Sequence, residues 1–218
     1  MPSKSLPRAI IFDWDNTLVD SWPVIRDALN TTFLAYDMQP WTMDETRKRV
    51  RKSLRESFPD LFGDKWQEAA DVFYGRYGDI HAAAIEPLTG VSQLLTDISE
   101  RGIYQAVVSN KRGDYLRKEA KELEWTSHFG HIIGANDAPR DKPASDPVHM
   151  ALKGSGIEPD QTVWFVGDAD IDMECAIKAN CVPVLMRESS PETGEFDHYP
   201  PQLSFGSAEA LCKRLRKL

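Results

Sequence analysis

Five short runs along the chain are apolar at successive positions and then give way to polar residues or glycine: Ala9–Phe12, Tyr104–Val108, His131–Ile133, Thr162–Val166 and Val182–Met186. Runs of this length predict strands, and the strongest, apolar at every position, predict burial on both faces, as in a parallel sheet. Between them the apolar spacing becomes helical. Leu94, Leu95 and Ile98 share one face of Leu88–Arg101, which stops at Gly102. Asp114–Leu123, Pro147–Lys153, Asp170–Ala179 and Ala208–Leu215 read as further helices. Strand and helix alternate over Leu88–Leu218, which predicts an α/β fold built on a doubly wound parallel sheet.

Residues 21–85 break the alternation. No strand pattern occurs there, and three or four helices are predicted: Pro23–Ala35, Asp44–Glu56 and Lys65–Ala84, the last divided or not near Gly75 and Gly78. The economical organisation is an α/β core from residues 1–20 and 86–218, with residues 21–85 inserted as an α-helical cap after the first strand. The two crossings, near Leu18–Trp22 and Ile85–Leu88, are then candidate hinges.

Composition narrows the function classes. The 218 residues carry 26 Lys plus Arg against 34 Asp plus Glu, a net charge of −8, which disfavours a nucleic-acid partner. With 41% hydrophobic residues the chain can bury a sizeable core. No apolar run approaches the ~20 residues of a membrane span, and charge returns at Asp13 before a signal-peptide core could form. Three cysteines (Cys175, Cys181, Cys212), odd in number and without metal-ligand spacing, suit a reducing compartment, so a cytoplasmic location is expected.

The chemistry gathers where strands end. The first strand runs into Asp13-Trp14-Asp15-Asn16-Thr17. In extended chain Asp13 and Asp15 face one space and Trp14 the other. Carboxylates so close repel unless a cation or a shared proton intervenes, and hard Mg²⁺ prefers oxygen ligands. A solvated turn would also use Asp and Asn there. The fourth strand ends in Gly167-Asp168-Ala169-Asp170-Ile171-Asp172. Asp172 lies about one helical turn beyond Asp168, while Asp170 suits the start of a helix. Ser109-Asn110-Lys111 follow the second strand and Asp141-Lys142-Pro143 the third. A hydroxyl with backbone N–H groups can hold a phosphoryl oxygen, and a lysine can neutralise a transferring phosphoryl group.

In order and spacing these four segments resemble the four motifs of the haloacid dehalogenase superfamily: DWDNT the first, SNK the second, the lysine of DKPASDP the third and GDADID the fourth. The insert resembles the small helical cap found between its first and second motifs. About 30 residues separate Asn110 from Lys142, too few for the larger cap other members place there. The resemblance implies a Rossmann-like core, Mg²⁺ as cofactor and a small-molecule phosphate ester as substrate, with the chain a monomer or homodimer. It implies Asp13 as nucleophile, Asp15 as acid and then base, and Ser109, Asn110 and Lys142 as phosphoryl-binding groups, Lys142 also orienting Asp13. It also implies Mg²⁺ held by Asp13, the Asp15 backbone carbonyl and Asp168, with Asp172 in support. Asn16 and Asn180 replace usual glycines, and asparagine tolerates φ > 0. Aspartate rather than tyrosine at position 15 favours phosphoryl transfer over dehalogenation.

The cap and the SNK segment are similar to phosphoglycolate-phosphatase-like members, which implies a phosphatase of small phosphorylated metabolites. A phosphosugar mutase of the β-phosphoglucomutase type is the alternative, and a non-catalytic binding protein on the same fold a third reading. Arg47, Lys48, Arg49, Arg51, Lys52 and Arg55 form the one basic run. It reads either as a solvated helix face, with Val50, Leu54 and Phe58 turned inward, or as a place where Arg51 or Lys52 meets a second anionic group of the substrate.

Overall fold

The computed structural model describes residues 5–50 and 54–218. In chain order the elements are β1 (Ala9–Phe12), β2 (Val19–Asp20), α1 (Trp22–Ala35), α2 (Met43–Arg49), α3 (Leu54–Phe62), α4 (Trp66–Ala84), β3 (Glu86–Pro87), α5 (Val91–Glu100), β4 (Tyr104–Arg112), α6 (Gly113–Glu122), β5 (His131–Ala135), α7 (Asp146–Leu152), β6 (Val163–Gly167), α8 (Asp170–Lys178), β7 (Val182–Met186), β8 (Leu203–Phe205) and α9 (Ala208–Leu215). The chain divides into two compact units, Met1–Val19 with Pro87–Leu218, and Asp20–Glu86.

The first unit holds a six-stranded sheet in the order β5-β4-β1-β6-β7-β8, every pair parallel. Strands β1 and β6 are buried at every position, as continuous apolar runs require. Ala9 and Ile11 join Val163 and Phe165 in a cluster with Val148 and Leu152 of α7 and Cys175 and Ala176 of α8. Ile10 and Phe12 point to the opposite face. Because β1 lies between β4 and β6, the carboxyl ends of all three strands converge, the place where open α/β sheets bind ligands. The short strand β8 has no counterpart in the sequence reading; three residues with an exposed centre carry too little pattern.

The second unit is helical. Helices α1 and α4 pack along one another and are joined by an Asp27–Arg76 ion pair. Phe33, Phe58 and Phe73 are buried in a continuous aromatic core with Phe62 and Tyr77. Helix α4 runs unbroken through Gly75 and Gly78. The single helix expected over Asp44–Glu56 does not form. Helix α2 opens on a Thr42–Glu45 capping box and ends at Arg49, Val50 is extended, and α3 starts at Leu54. Arg47, Lys48 and Arg49 therefore occupy the last turn of α2, where they complement the helix dipole. Arg47 lies over the Trp22 ring and Arg49 over Trp41. The inward stripe expected from Val50, Leu54 and Phe58 on one helix is absent for the same reason. Arg51 and Lys52 lie outside the described residues. No helix among the described residues is long and apolar enough to cross a membrane.

Candidate active site

Asp13 and Asp172 meet across one ammonium group. Lys142 Nζ donates to Asp13 Oδ1 at 2.7 Å and to Asp172 Oδ1 at 2.7 Å, and all three residues are buried. Asp13 leaves β1 at its carboxyl end, and its N–H bonds the Val166 carbonyl of β6 at 2.8 Å. Asp172 lies in the first turn of α8, where its Oδ2 accepts the Ala169 N–H at 3.1 Å. Gly167 is required by this approach: a Cβ there would overlap the Asp172 side chain.

Asp168 completes the group. One oxygen from each of Asp13, Asp168 and Asp172 lies within 4.8 Å of the other two. Thr17 Oγ1 donates to Asp168 Oδ1 at 3.4 Å, and Arg187 Nη1 donates to the Asp168 carbonyl at 2.9 Å. Arg187 is itself fixed by both oxygens of Glu195. Neither Thr17 nor Arg187 was expected at the site. Thr17 was visible in the first motif, whereas Arg187 follows β7 with no local signal.

Three carboxylates with one ammonium among them leave negative charge in excess. Burial, with Asp172 and Asp15 nearby, raises the Asp13 carboxyl to about 7 in spite of Lys142. Burial and the charges of Asp172 and Asp13 hold Asp168 well above the carboxylate range. Burial opposes the charge on Lys142, but Asp13 and Asp172 outweigh it and keep the amine protonated beyond its ordinary range. A donor set of hard oxygens with excess negative charge fits a divalent cation such as Mg²⁺.

The Asp15 carboxylate is directed elsewhere. Its Oδ1 pairs with Lys111 Nζ at 2.6 Å, and the same Nζ reaches Glu119 Oε2 at 2.6 Å. Ser109 Oγ accepts the Lys111 N–H at 3.2 Å. The Asn110 amide is engaged at both ends by the Lys142 backbone: Oδ1 accepts the N–H at 3.0 Å and Nδ2 donates to the carbonyl at 3.1 Å. Asn110 thus clamps the loop that presents Lys142, in addition to whatever ligand it meets. Asn16 and Asn180 adopt φ of 62° and 60°, the left-handed backbone expected of them.

Residues 10–186 match the haloacid dehalogenase-like hydrolase family. Phosphoglycolate phosphatase 1 of Pseudomonas aeruginosa is 32% identical over 181 residues, covering 78% of this chain and 66% of that protein. Phosphoglycolate phosphatase of Aquifex aeolicus is 30% identical over 173 residues, covering 79% and 81%. Among solved structures, a HAD-superfamily hydrolase from Ehrlichia chaffeensis superposes with a TM-score of 0.68 at 28% identity, covering 99% of each chain. A haloacid dehalogenase-like family protein of Streptococcus pneumoniae reaches 0.84 at 23% identity, covering 97% of this chain and 99% of that one, a likeness of fold. The matched stretch runs from the first strand to the end of β7 and takes in all four acid- and lysine-bearing strand ends, so the chain belongs to the haloacid dehalogenase-like hydrolase family.

Proposed function

We propose that the chain is a Mg²⁺-dependent phosphatase of small phosphorylated metabolites, working through an aspartyl-phosphate on Asp13. The observation that carries this reading is the group of buried Asp13 and Asp172, both paired with Lys142, and half-buried Asp168 beside them. The phosphoglycolate phosphatases among its relatives make a small phosphorylated acid the leading substrate class.

Mg²⁺ would be held by Asp13, Asp168 and the Asp15 backbone carbonyl, with Asp172 in support, and would offset charge on the phosphoryl oxygens and on Asp13. In the first step an Asp13 oxygen bonds to phosphorus. The bond from phosphorus to the ester oxygen breaks, and Asp15 passes a proton to that oxygen. In the second step a water oxygen bonds to phosphorus as its proton passes to Asp15. The Asp13–phosphorus bond then breaks, releasing inorganic phosphate. Covalent catalysis of this kind divides one difficult displacement into two easier ones. Lys142, fixed by Asn110 from behind, holds Asp13 in line and meets the phosphoryl group. Three buried free cysteines suit a cytoplasmic site of action, and burial pushes the Cys181 thiol up to about 12, away from thiolate chemistry.

The test is hydrolysis of a panel of phosphate monoesters with Mg²⁺ and with chelator, beside Asp13→Asn. Turnover should need the metal and should fall at least roughly a thousandfold in Asp13→Asn. Absence of metal-dependent turnover on every ester, or activity retained by Asp13→Asn, would overturn the proposal.

A further inference from the structure

A second buried network stands beside the first. Glu119 lies on α6 in line with Leu116 and Ala120, both fully buried, and is itself 1% exposed. On that stripe an apolar residue would pack at lower cost, because a buried carboxylate must be desolvated. Its Oε2 receives two donors, Lys111 Nζ at 2.6 Å and the Trp14 indole N–H at 2.7 Å. Trp14 is held in place by the edge of Trp125, 5.7 Å between ring centroids. Lys111 then reaches Asp15, the residue next to Trp14.

The four groups close a ring: Asp15, Lys111, Glu119 and the Trp14 indole, returning to Asp15 through one peptide bond. Side chains at 14 and 15 leave the backbone in opposite directions, yet both lead to Glu119, Trp14 directly and Asp15 through Lys111. Rotation of the Asp15 carboxylate would break an ion pair, and tilting of the loop would break the indole bond. Lys111 projects from β4 with its side chain only 5% exposed, so its own freedom is small.

We infer that Lys111 and Glu119 are positioning residues that fix the Asp15 carboxylate for proton transfer to the leaving oxygen. This rests on the phosphatase reading above. Misplacing a reacting group by about 1 Å costs on the order of a hundredfold in rate, and proton transfer to a leaving group contributes roughly 10²–10⁴. The proton matters for a poor leaving group, an alkoxide, and hardly at all for nitrophenolate.

The experiment compares kcat/KM for an alkyl phosphate and for 4-nitrophenyl phosphate in the full chain with Mg²⁺. In Lys111→Met the alkyl ester should lose about a hundredfold, while the aryl ester stays within roughly threefold. The aryl ester's kcat should nevertheless fall with a burst of nitrophenol, because the second step still needs Asp15 as base. Glu119→Gln keeps the shape and an acceptor for the indole, and should show the same selectivity at about tenfold. It also decides the matter if Lys111→Met fails to fold by circular dichroism. Equal losses on both esters, or a change confined to KM, overturn the assignment. Asp13→Asn is measured alongside. If it keeps turnover, the phosphatase mechanism fails whatever the ratio; if it is inactive and the ratio is unmoved, only the positioning role fails.

Discussion

Lys142 and Lys111 each lie buried between two carboxylates, at 2.7 Å and 2.7 Å in one case and 2.6 Å and 2.6 Å in the other. They differ in what surrounds the pair. Around Lys142 a third carboxylate, Asp168, comes within reach of the first two, and burial, reinforced by Asp172, raises the carboxyls of both Asp13 and Asp168. Around Lys111 the further partner is an indole N–H, a neutral donor. One cluster has negative charge in excess and the other has its carboxylates tied down. The first arrangement suits a cation and a nucleophile; the second suits a proton carrier that has to keep its direction. The end of β4 serves both, since Asn110 grips the Lys142 backbone while Lys111 grips Asp15.

The strongest way to break this comparison is to remove each lysine. Lys142→Met leaves two carboxylates buried without their cation and should cost about 3–5 kcal/mol in urea unfolding near pH 8. The loss should shrink towards pH 5. With Lys142 gone, the charge and hydrogen bond that lower the Asp13 carboxyl go too, so it rises above about 7 and on acidification takes a proton instead of bearing an unpaired charge. Lys111→Met should cost less, because Asp15, 19% exposed, can turn to water, and buried Glu119 keeps the Trp14 indole donor, whereas Lys142→Met strips two buried carboxylates. Equal costs would mean that the two clusters are energetically alike.

Cation addition comes next. Mg²⁺ at about a hundred times its Kd should stabilise the protein by about 2.7 kcal/mol. Asp168→Asn should abolish most of that shift and Glu119→Gln should leave it intact. The sign with pH follows from the raised Asp13: below pH 7 protons compete for the ligand, so each unit lower should weaken Mg²⁺ binding by up to about tenfold per proton displaced. Calorimetry in buffers of different ionisation enthalpy counts that proton. No stabilisation, or a shift lost equally in both variants, would remove the distinction between the sites. The smallest effect belongs to Trp14→Phe, which deletes one hydrogen bond to Glu119 and should cost about 1 kcal/mol by thermal unfolding.

The first cluster was more legible in the sequence than the second. Asp13 and Asp168 stand where uninterrupted apolar runs stop, and a strand end is a local pattern. Lys142 was singled out for its place after the third strand, and the order of four segments, which resembles a family, gave it more weight; a lysine in a loop has no periodicity of its own. Lys111 was in view beside Ser109 and Asn110, but its target lay 96 positions away. Glu119 was not singled out within the helix predicted over Asp114–Leu123. Its signal was spacing: three after Leu116, one before Ala120 and four before Leu123, it falls on the apolar stripe of α6. The sheet's strands were legible save for β8. In the insert, the break after Arg49 was hidden because Val50 has an extended backbone within a sequence whose composition otherwise favours helix.

The position of β1 at the middle of the sheet has a consequence during synthesis. Its two neighbours are β4, paired through Phe12 and Val107, and β6, paired through Phe12 and Val166. A ribosome adding roughly 5–20 residues per second reaches Val166 on the order of ten to thirty seconds after Phe12. Through that interval Ala9–Phe12 is a nascent strand, apolar on both sides, whose second edge has no partner yet made. The same centrality that later brings Asp13 to the meeting point of three strand ends makes this segment a natural client for chaperones in the growing chain.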